Sequence, residues 1–490
     1  MSENADKIRK IEQVLGKLKN IAASSIGRGN YRKALDAITS ASFILEEYNQ
    51  YYVDDDLEGY TDEISGKLVK PGFTGEDTNE NTILYYDSFG FDVRALALIY
   101  MDALAKLGYK IIYITKVESK DLQPQLHEAV KDGDVTWHYV SYDNREQEVK
   151  DIAALFEKYK PSKAILYSTP DDSPAIAVFK AYAGIVTRFK INLTDHAFWL
   201  GHDAFDYNLE FRNYGACVSV KYRGIPREKE IIMPFYPYHR PKEFQGLPFD
   251  AEGKKVMFSG GSIYKTLGDP QNRFYVIAGR LLKTHDDLIF MYAGTGDESE
   301  IRKLQEKFPG RVYRIDERSD LFELMEHCTI YLNTFPMVGG LMMQFAADAC
   351  KVPLTLVREG SANDVNKENL INQELVEYST VDELIKEADR LLDDEEYRRQ
   401  RGQILKDALP SPEGFKEQLQ SALTNHTTKY VPDIKDIDTT EFRKQYIIRF
   451  EDRIFRQVIA SGNKKTLIGD FPGLFVQKAY NKIVRKEKLN

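Results

Sequence analysis

Residues 331–356 read YLNTFPMVGGLMMQFAADACKVPLTL. An apolar strand, Ile330–Leu332, runs into a loop holding Pro336 and then into Gly339-Gly340, where a helix is expected to begin. Two glycines at a helix start leave backbone N–H groups bare, and the helix dipole favours an anion there. Pro353–Val357 reads as the next strand. The stretch therefore offers a phosphate-sized seat at the carboxyl end of a strand, the edge at which open parallel sheets bind ligands. A tight turn without a ligand is the plain alternative for one Gly-Gly pair.

A second glycine turn lies upstream, in KKVMFSGGSIYKT, residues 254–266. Val256-Met257-Phe258 reads as a buried strand and Ser259-Gly260-Gly261-Ser262 as a loop rich in donors. Lys265 follows and can neutralise a diphosphate as a point charge. Neither GxxxxGK[ST] nor GxGxxG is present at this strand end. Between the two turns, Leu288–Tyr292 leads into AGTGD and a helix over 298–308. Val312–Ile315 then leads through Asp316-Glu317-Arg318 into a helix near Asp320. Strand and helix alternate throughout, which implies a parallel sheet covered on both faces.

The order strand–GGSxYK, strand–AGTGD, strand–IDER, strand–LNTFPMVGG, helix, strand resembles the donor-binding half of GT-B glycosyltransferases. The resemblance spans roughly residues 80–425 and is closest to the branch of O-linked GlcNAc transferases and bacterial polysaccharide glycosyltransferases. It implies two Rossmann-like α/β domains facing across a cleft, the second holding a nucleotide diphosphate sugar, with UDP the expected nucleotide. It also implies that Gly260, Gly261 and Ser262 line the donor site and that Gly339, Gly340 and Leu341 meet the diphosphate through backbone N–H. Lys265 would neutralise it, Ile315 and Asp316 would lie beside the base, and Asp316 or Glu317 would reach the ribose. Retaining GT-B enzymes of the commonest type carry paired glutamates in and before the diphosphate helix. Here that region has Asp348 as its one carboxylate, which points to inversion.

The 490 residues suit two or three domains, and 42% hydrophobic with 29% charged residues is ordinary for a soluble globular chain. The expected layout is a helical hairpin with an acidic loop over 1–66, an acceptor-side domain over 80–240, a nucleotide-sugar domain over 250–425 and a basic helical extension over 426–490. Cys217, Cys328 and Cys350 are too sparse for a disulfide framework or a zinc site. The N-terminal MSENADKIRK has no signal-peptide character, and no apolar run reaches the roughly 18–20 residues that span a bilayer. A cytoplasmic location is expected, with a peripheral place at the inner face of the membrane as a variant.

Ile8, Ile11, Leu15 and Leu18 form one helical stripe, and Tyr31, Ala34, Leu35, Ile38, Leu45 and Tyr48 a second after a Gly27–Asn30 break. GNYRKALDAI reads like the first helix of a tetratricopeptide unit, but no further copy follows, so a docked helical pair is the simpler reading. Tyr52–Thr78 reads as an acidic loop. Its Asp54-Asp55-Asp56 follows a helix rather than a strand, which makes it a solvated charge run and no metal triplet.

In the first sheet domain, Ile83–Asp87, Lys110–Thr115, Thr136–Val140, Ala164–Ser168 and Lys190–Leu193 read as strands. Ser88, Asp92, Asp171 and Asp172 fall in loops of one sheet edge. The loop LTDHAFWLGHDAFD, residues 193–206, concentrates Asp195, His196, His202, Asp203 and Trp199. Sugar transfer needs a base for the acceptor hydroxyl, and histidine accepts a proton near neutral pH. Asp195 and His196 are the candidate catalytic pair, with Asp203 and Asp92 next in line; a structural histidine beside an aromatic cluster is the alternative. HExxH is absent, and no metal or other cofactor is expected beyond the nucleotide diphosphate sugar as donor substrate.

Residues 441–490 hold twelve Lys and Arg against five Asp and Glu, in a chain of net charge −9. Phe442, Tyr446, Phe450, Ile454 and Val458 recur every fourth residue, and Phe475, Ala479 and Ile483 suggest a last helix. This segment either packs on the first domain or docks to an anionic membrane surface. The acidic body speaks against nucleic acid. The expected enzyme is a hexosyl- or N-acetylhexosaminyltransferase in polysaccharide biosynthesis, acting on a glycan or lipid-linked glycan. Protein glycosylation with a protein acceptor is the rival, and a non-catalytic module binding a sugar nucleotide or a partner glycosyltransferase is a third reading.

Overall fold

The computed structural model describes residues 3–90, 96–141, 143–358, 375, 377–450, 454, 455 and 458. The chain forms two compact units, Met1–Met233 with Gln418–Asn490, and Pro234–Glu417.

Unit 1 is built on a seven-stranded sheet of β1 (Asn79–Asp87), β2 (Lys110–Lys116), β3 (Val135–Val140), β4 (Pro161–Tyr167), β5 (Thr187–Asn192), β6 (Tyr207–Glu210) and β7 (Glu230–Ile232). The order is β3-β2-β1-β4-β5-β6-β7 and every pairing is parallel. Helices on both faces explain why Ile83–Tyr86 and Ile111–Ile114 are fully buried runs rather than alternating ones. β6 and β7 were not expected from the sequence; β6 carries buried Asn208 and Glu210 in place of an apolar pattern, and β7 is only three residues long, Glu230-Ile231-Ile232.

Its helices are α1 (Glu3–Ile26), α2 (Tyr31–Tyr48), α3 (Asp55–Leu68), α4 (Leu96–Lys106), α5 (Pro124–Ala129), α6 (Arg145–Tyr159), α7 (Ser173–Ala181) and α8 (Asn213–Arg223). Asn30 caps α2 through Lys33 N, and Asn49 closes it in the left-handed region at φ 44°. The expected acidic loop over 52–78 is instead largely helix α3. Asp54 caps it through Leu57 N, its first-turn carboxylates complement the dipole, and Leu57, Thr61 and Ile64 turn inward. Lys19 pairs with Asp54 and Asp56, so the triplet joins α1 to α3. Ile11, Leu18, Ile38, Leu45, Leu57 and Ile64 share one core with Phe156 of α6 and Phe179 of α7. The helical hairpin is thus part of unit 1.

Unit 2 has a five-stranded sheet of β8 (Lys255–Gly260), β9 (Leu288–Ala293), β10 (Val312–Ile315), β11 (Ile330–Leu332) and β12 (Pro353–Leu354). It is parallel throughout, in the order β10-β9-β8-β11-β12. Its helices are α9 (Arg273–Thr284), α10 (Ser299–Lys307), α11 (Leu321–Glu326), α12 (Gly340–Asp348), α13 (Val381–Asp393) and α14 (Glu395–Asp407). The remaining helices are α15 (Pro412–Asn425) and, in unit 1, α16 (Thr440–Arg449).

Phe450, Ile454 and Val458 are buried in the unit 1 core. The positions Phe475, Ala479, Ile483 and 485–490 of the basic segment lie outside the described residues, as does Asp92. Among the described residues no helix is long and apolar enough to cross a membrane.

Candidate functional site

In unit 2, connections from β8 lead to β9 and β10 on one side, and those from β11 lead to β12 on the other. β8 and β11 are neighbours, with Met257 opposite Ile330 and Phe258 opposite Tyr331. Their carboxyl ends therefore flank a topological switch point, where a ligand crevice opens in this kind of sheet. Both glycine turns fall there.

The β8 turn is fixed by backbone bonds. Gly261 N donates to Ala293 O (2.9 Å), Ile263 N to Thr295 O (2.9 Å) and Tyr292 Oη to Gly261 O (3.0 Å). Gly261 sits at φ 126°, which side chains rarely adopt. A Cβ on Gly260 would lie 3.1 Å from Met342 Cε, placing this strand end against the first turn of α12. Ser262 is exposed and Lys265 half-buried.

The β11 turn closes around Asn333, which is 1% exposed. Asn333 Oδ1 accepts from Thr334 N (2.9 Å) and Gly339 N (3.0 Å), while its Nδ2 donates to Thr355 Oγ1 (3.3 Å). Met337 N donates to Lys265 O (3.2 Å) and so ties the two turns together. Helix α12 starts at Gly340 with Gly339 as its cap residue and no capping side chain. Its first-turn N–H groups thus have neither an intrahelical partner nor a side-chain cap. Gly260, Gly261, Ser262, Lys265, Gly339, Gly340 and Leu341 gather at this one place. Ile315 and Asp316 lie at the end of β10, linked to it by Gly294 N donating to Ile315 O (3.1 Å). Asp316 is exposed and paired with Arg314 at 2.6 Å.

In unit 1, the loop after β5 carries Asp195 and His196. Asp195 is fully buried. Arg212 Nε donates to its Oδ2 (2.6 Å) and Arg212 Nη2 to its Oδ1 (3.2 Å). His196 Nδ1 lies 3.0 Å from Asp195 Oδ1. Burial alone would raise the Asp195 carboxyl, but the Arg212 charge and the hydrogen bonds from His196 and Arg212 hold it well below the usual carboxylate range. Asp195 is thus an orienting carboxylate and a poor proton acceptor. Its Oδ1 faces Nδ1 of the His196 imidazole, whose side chain is 39% exposed.

The loop backbone is pinned from two sides. Arg223 Nη2 donates to Asp195 O (3.1 Å) and Ala197 O (2.7 Å), and Asn49 Nδ2 donates to His196 O (2.9 Å). Trp199 is buried with Phe205 and Ile225, with Lys190 Nζ 4.4 Å from its ring centroid; it is core, not a sugar platform. His202 and Asp203 are taken by a separate ionic cluster. Glu58, His202 and Asp203 bring ligand atoms within 4.8 Å of one another. Lys180 Nζ lies 2.9 Å from Glu58 and 2.8 Å from Asp203 and supplies the positive charge. The hydrogen bond to Glu58 raises the His202 imidazole against its burial, which suits it to an ion pair rather than to a metal. Asp203 is therefore engaged structurally and is set aside as a base.

At the carboxyl edge of this sheet, Ser88 Oγ accepts from Thr169 N (2.8 Å). Asp172 caps α7 through Ala175 N and accepts from Tyr86 Oη (2.8 Å), so it is structural. Sequence reasoning missed Glu46 of α2. Burial, with the charges of Asp171 and Glu47, pushes its carboxyl up to about 8. The folded protein keeps this proton up to pH about 8, whereas an unfolded chain releases it near 4.5. Stability contributed by Glu46 is therefore present below 4.5 and lost as pH rises to 8. Glu46→Gln is expected to raise the melting temperature at pH 9 by about 3 °C or more and to change little at pH 4. Equal effects at both pH values in thermal scans would contradict this. Arg212 and Asn333 were missed too, because their partners are remote or need the folded turn.

No protein-family model matches the sequence, and no curated protein matches it. Solved structures do. An O-GlcNAc transferase variant from Thermobaculum terrenum aligns over 82% of this chain and 81% of its own, with 16% identity and a TM-score of 0.50. A glycosyltransferase from Rickettsia africae aligns over 76% of this chain and 100% of its own, with 11% identity and a TM-score of 0.50. A protein described as a UDP-N-acetylglucosamine 2-epimerase from Listeria monocytogenes aligns over 71% and 97%, with 12% identity and a TM-score of 0.50. At these identities the likeness is one of fold. Two parallel sheets in these strand orders, matched over most of the chain by such proteins, give this chain the GT-B fold.

Proposed function

We propose that this chain is an inverting, metal-independent glycosyltransferase that moves a sugar from a UDP-linked donor to a hydroxyl of a glycan or lipid-linked glycan. The observation that carries this reading is the meeting of two glycine turns at the β8/β11 switch point of unit 2. There the diphosphate takes the first-turn N–H groups of α12 at Gly340 and Leu341, and Lys265 supplies the counter-charge. Gly260, Gly261 and Ser262 line the site. The base lies beside Ile315, and Asp316 meets the ribose by exchanging its pairing with Arg314.

His196 Nε2 accepts the proton of the acceptor hydroxyl as its oxygen bonds to the anomeric carbon. The bond from that carbon to the diphosphate breaks, and the bonding pair leaves with the diphosphate. The held Asp195–His196 pair favours an enzyme over a silent binding module. A protein acceptor stays the alternative within the same chemistry.

Lys265→Ala is expected to weaken UDP binding about ten- to a hundredfold with an unchanged melting temperature, since it removes one charge-assisted contact. Isothermal titration decides it, and undiminished affinity would sink the donor site. Activity should persist in EDTA; loss restored by manganese would remove the metal-independent part. A second reading, epimerisation of a sugar nucleotide, is favoured by the acidic pair Glu46 and Asp171, both raised by burial. NMR of UDP-N-acetylglucosamine incubated with enzyme and no acceptor separates the two, because only an epimerase gives a UDP-linked sugar of new configuration.

A further inference from the structure

We propose that Arg212 is a positioning residue for the base: its two contacts neutralise the Asp195 carboxylate, so that Asp195 orients the His196 ring without trapping a proton on it. The inference rests on the reading of His196 as the base. The geometry is specific. Asp195 Oδ1 is shared by His196 Nδ1 at 3.0 Å and Arg212 Nη2 at 3.2 Å, while Oδ2 is taken by Arg212 Nε at 2.6 Å. Arg212 is itself fixed at the cap position of α8, with its guanidinium 4.6 Å from the Tyr214 ring centroid. A bare buried carboxylate beside an imidazole would form an ion pair with the imidazolium and keep the base occupied. A carboxylate already paired with a guanidinium exerts little net field, yet still accepts the Nδ1–H hydrogen bond.

Other groups face this pair. Arg223 of α8 holds the Asp195 and Ala197 carbonyls. Tyr214 of α8 and Glu210 at the end of β6 act electrostatically on or with Asp195, and Tyr52 faces Arg223 at 5.0 Å. From α16, Phe442 meets the His196 ring edge-on and Arg443 lies over Tyr52. Glu210 is the one that competes for assignment. Burial and the Asp195 charge raise its carboxyl, and a Cβ on Gly215 would lie 2.0 Å from Glu210 Oε2 and 3.0 Å from Asp195 Cβ.

The test is the pH profile of kcat/KM for the full-length enzyme and its Arg212→Met, Arg212→Lys, Glu210→Gln and His196→Ala variants. In Arg212→Met the acid limb is expected to move up by about one pH unit or more, the usual effect of a charge at this range. Its deficit is then large at pH 6.5 and small at pH 9. Arg212→Lys, which keeps the charge, returns the limb towards the parent position, and Glu210→Gln leaves it in place. A merely structural Arg212 would lower the rate at every pH without moving the limb, and that result overturns the proposal. So does a limb that vanishes in Glu210→Gln. Loss of the limb in His196→Ala with no movement in Arg212→Met removes the inference and leaves the base standing. A limb and rate preserved in His196→Ala remove both. Should Arg212→Met fail to fold, NMR titration of the His196 ring in Arg212→Gln reads the same displacement without substrate, and an unmoved midpoint there also overturns it.

Discussion

Replacing His196 by alanine is expected to lower sugar transfer by about two to four orders of magnitude, the range of general-base effects. UDP affinity should stay unchanged, because the proposed diphosphate contacts belong to unit 2 and His196 to unit 1. Folding should survive, since the ring is 39% exposed and its backbone carbonyl is held by Asn49 whatever the side chain. Asp195→Asn should also impair transfer, by unsettling the tautomer rather than by removing a base. The measurement is initial-rate transfer from a UDP-sugar beside a UDP titration of the same preparation. Near-normal transfer by folded His196→Ala would place the base elsewhere.

Gly294→Val carries the second large effect. A Cβ at Gly294 would sit 2.0 Å from the Gly261 carbonyl oxygen and 3.0 Å from Tyr292 Cε1. The obstacle is backbone, so no rotamer relieves it. The β9 end and the β8 turn must part, which breaks the Gly261 N to Ala293 O bond and displaces the glycines of the proposed phosphate seat. The expected cost is about 3 kcal/mol or more in unfolding free energy, at the upper end for overpacking. Loss of measurable UDP binding should accompany it. A soluble variant with parental affinity and stability would show that the two turns do not need this approach.

Much of unit 2 was legible because its strands are apolar and its turns glycine-rich. Val312–Ile315 and Ile330–Leu332 were readable at their actual bounds, and the two Gly-Gly turns stand where strand order reverses. Strand β6 was not legible: YNLE offers neither alternation nor an apolar run, and its Asn208 and Glu210 are buried through hydrogen bonds to Glu230, Ser219 and Asn192. Helix α3 was hidden by its own acidic start, since an Asp triplet reads as solvated until one member is seen to cap. Asp195 and His196 were visible as a pair, but the guanidinium that pairs with Asp195 was not. Arg212 stands 17 residues on, beyond β6, and only the parallel alignment of β5 with β6 brings it back to Asp195.

Asn49 gives the N-terminal hairpin a meaning beyond added bulk. The residue that ends α2 is also the one that grips the carbonyl of the proposed base. Trimming the chain to its two sheets, as one would detach an accessory module, would release the loop of the proposed base on one flank. Any attempt to swap this hairpin for a foreign one must bring an amide to the same spot. One hydrogen bond thus couples the hairpin to the loop across some 150 positions of chain.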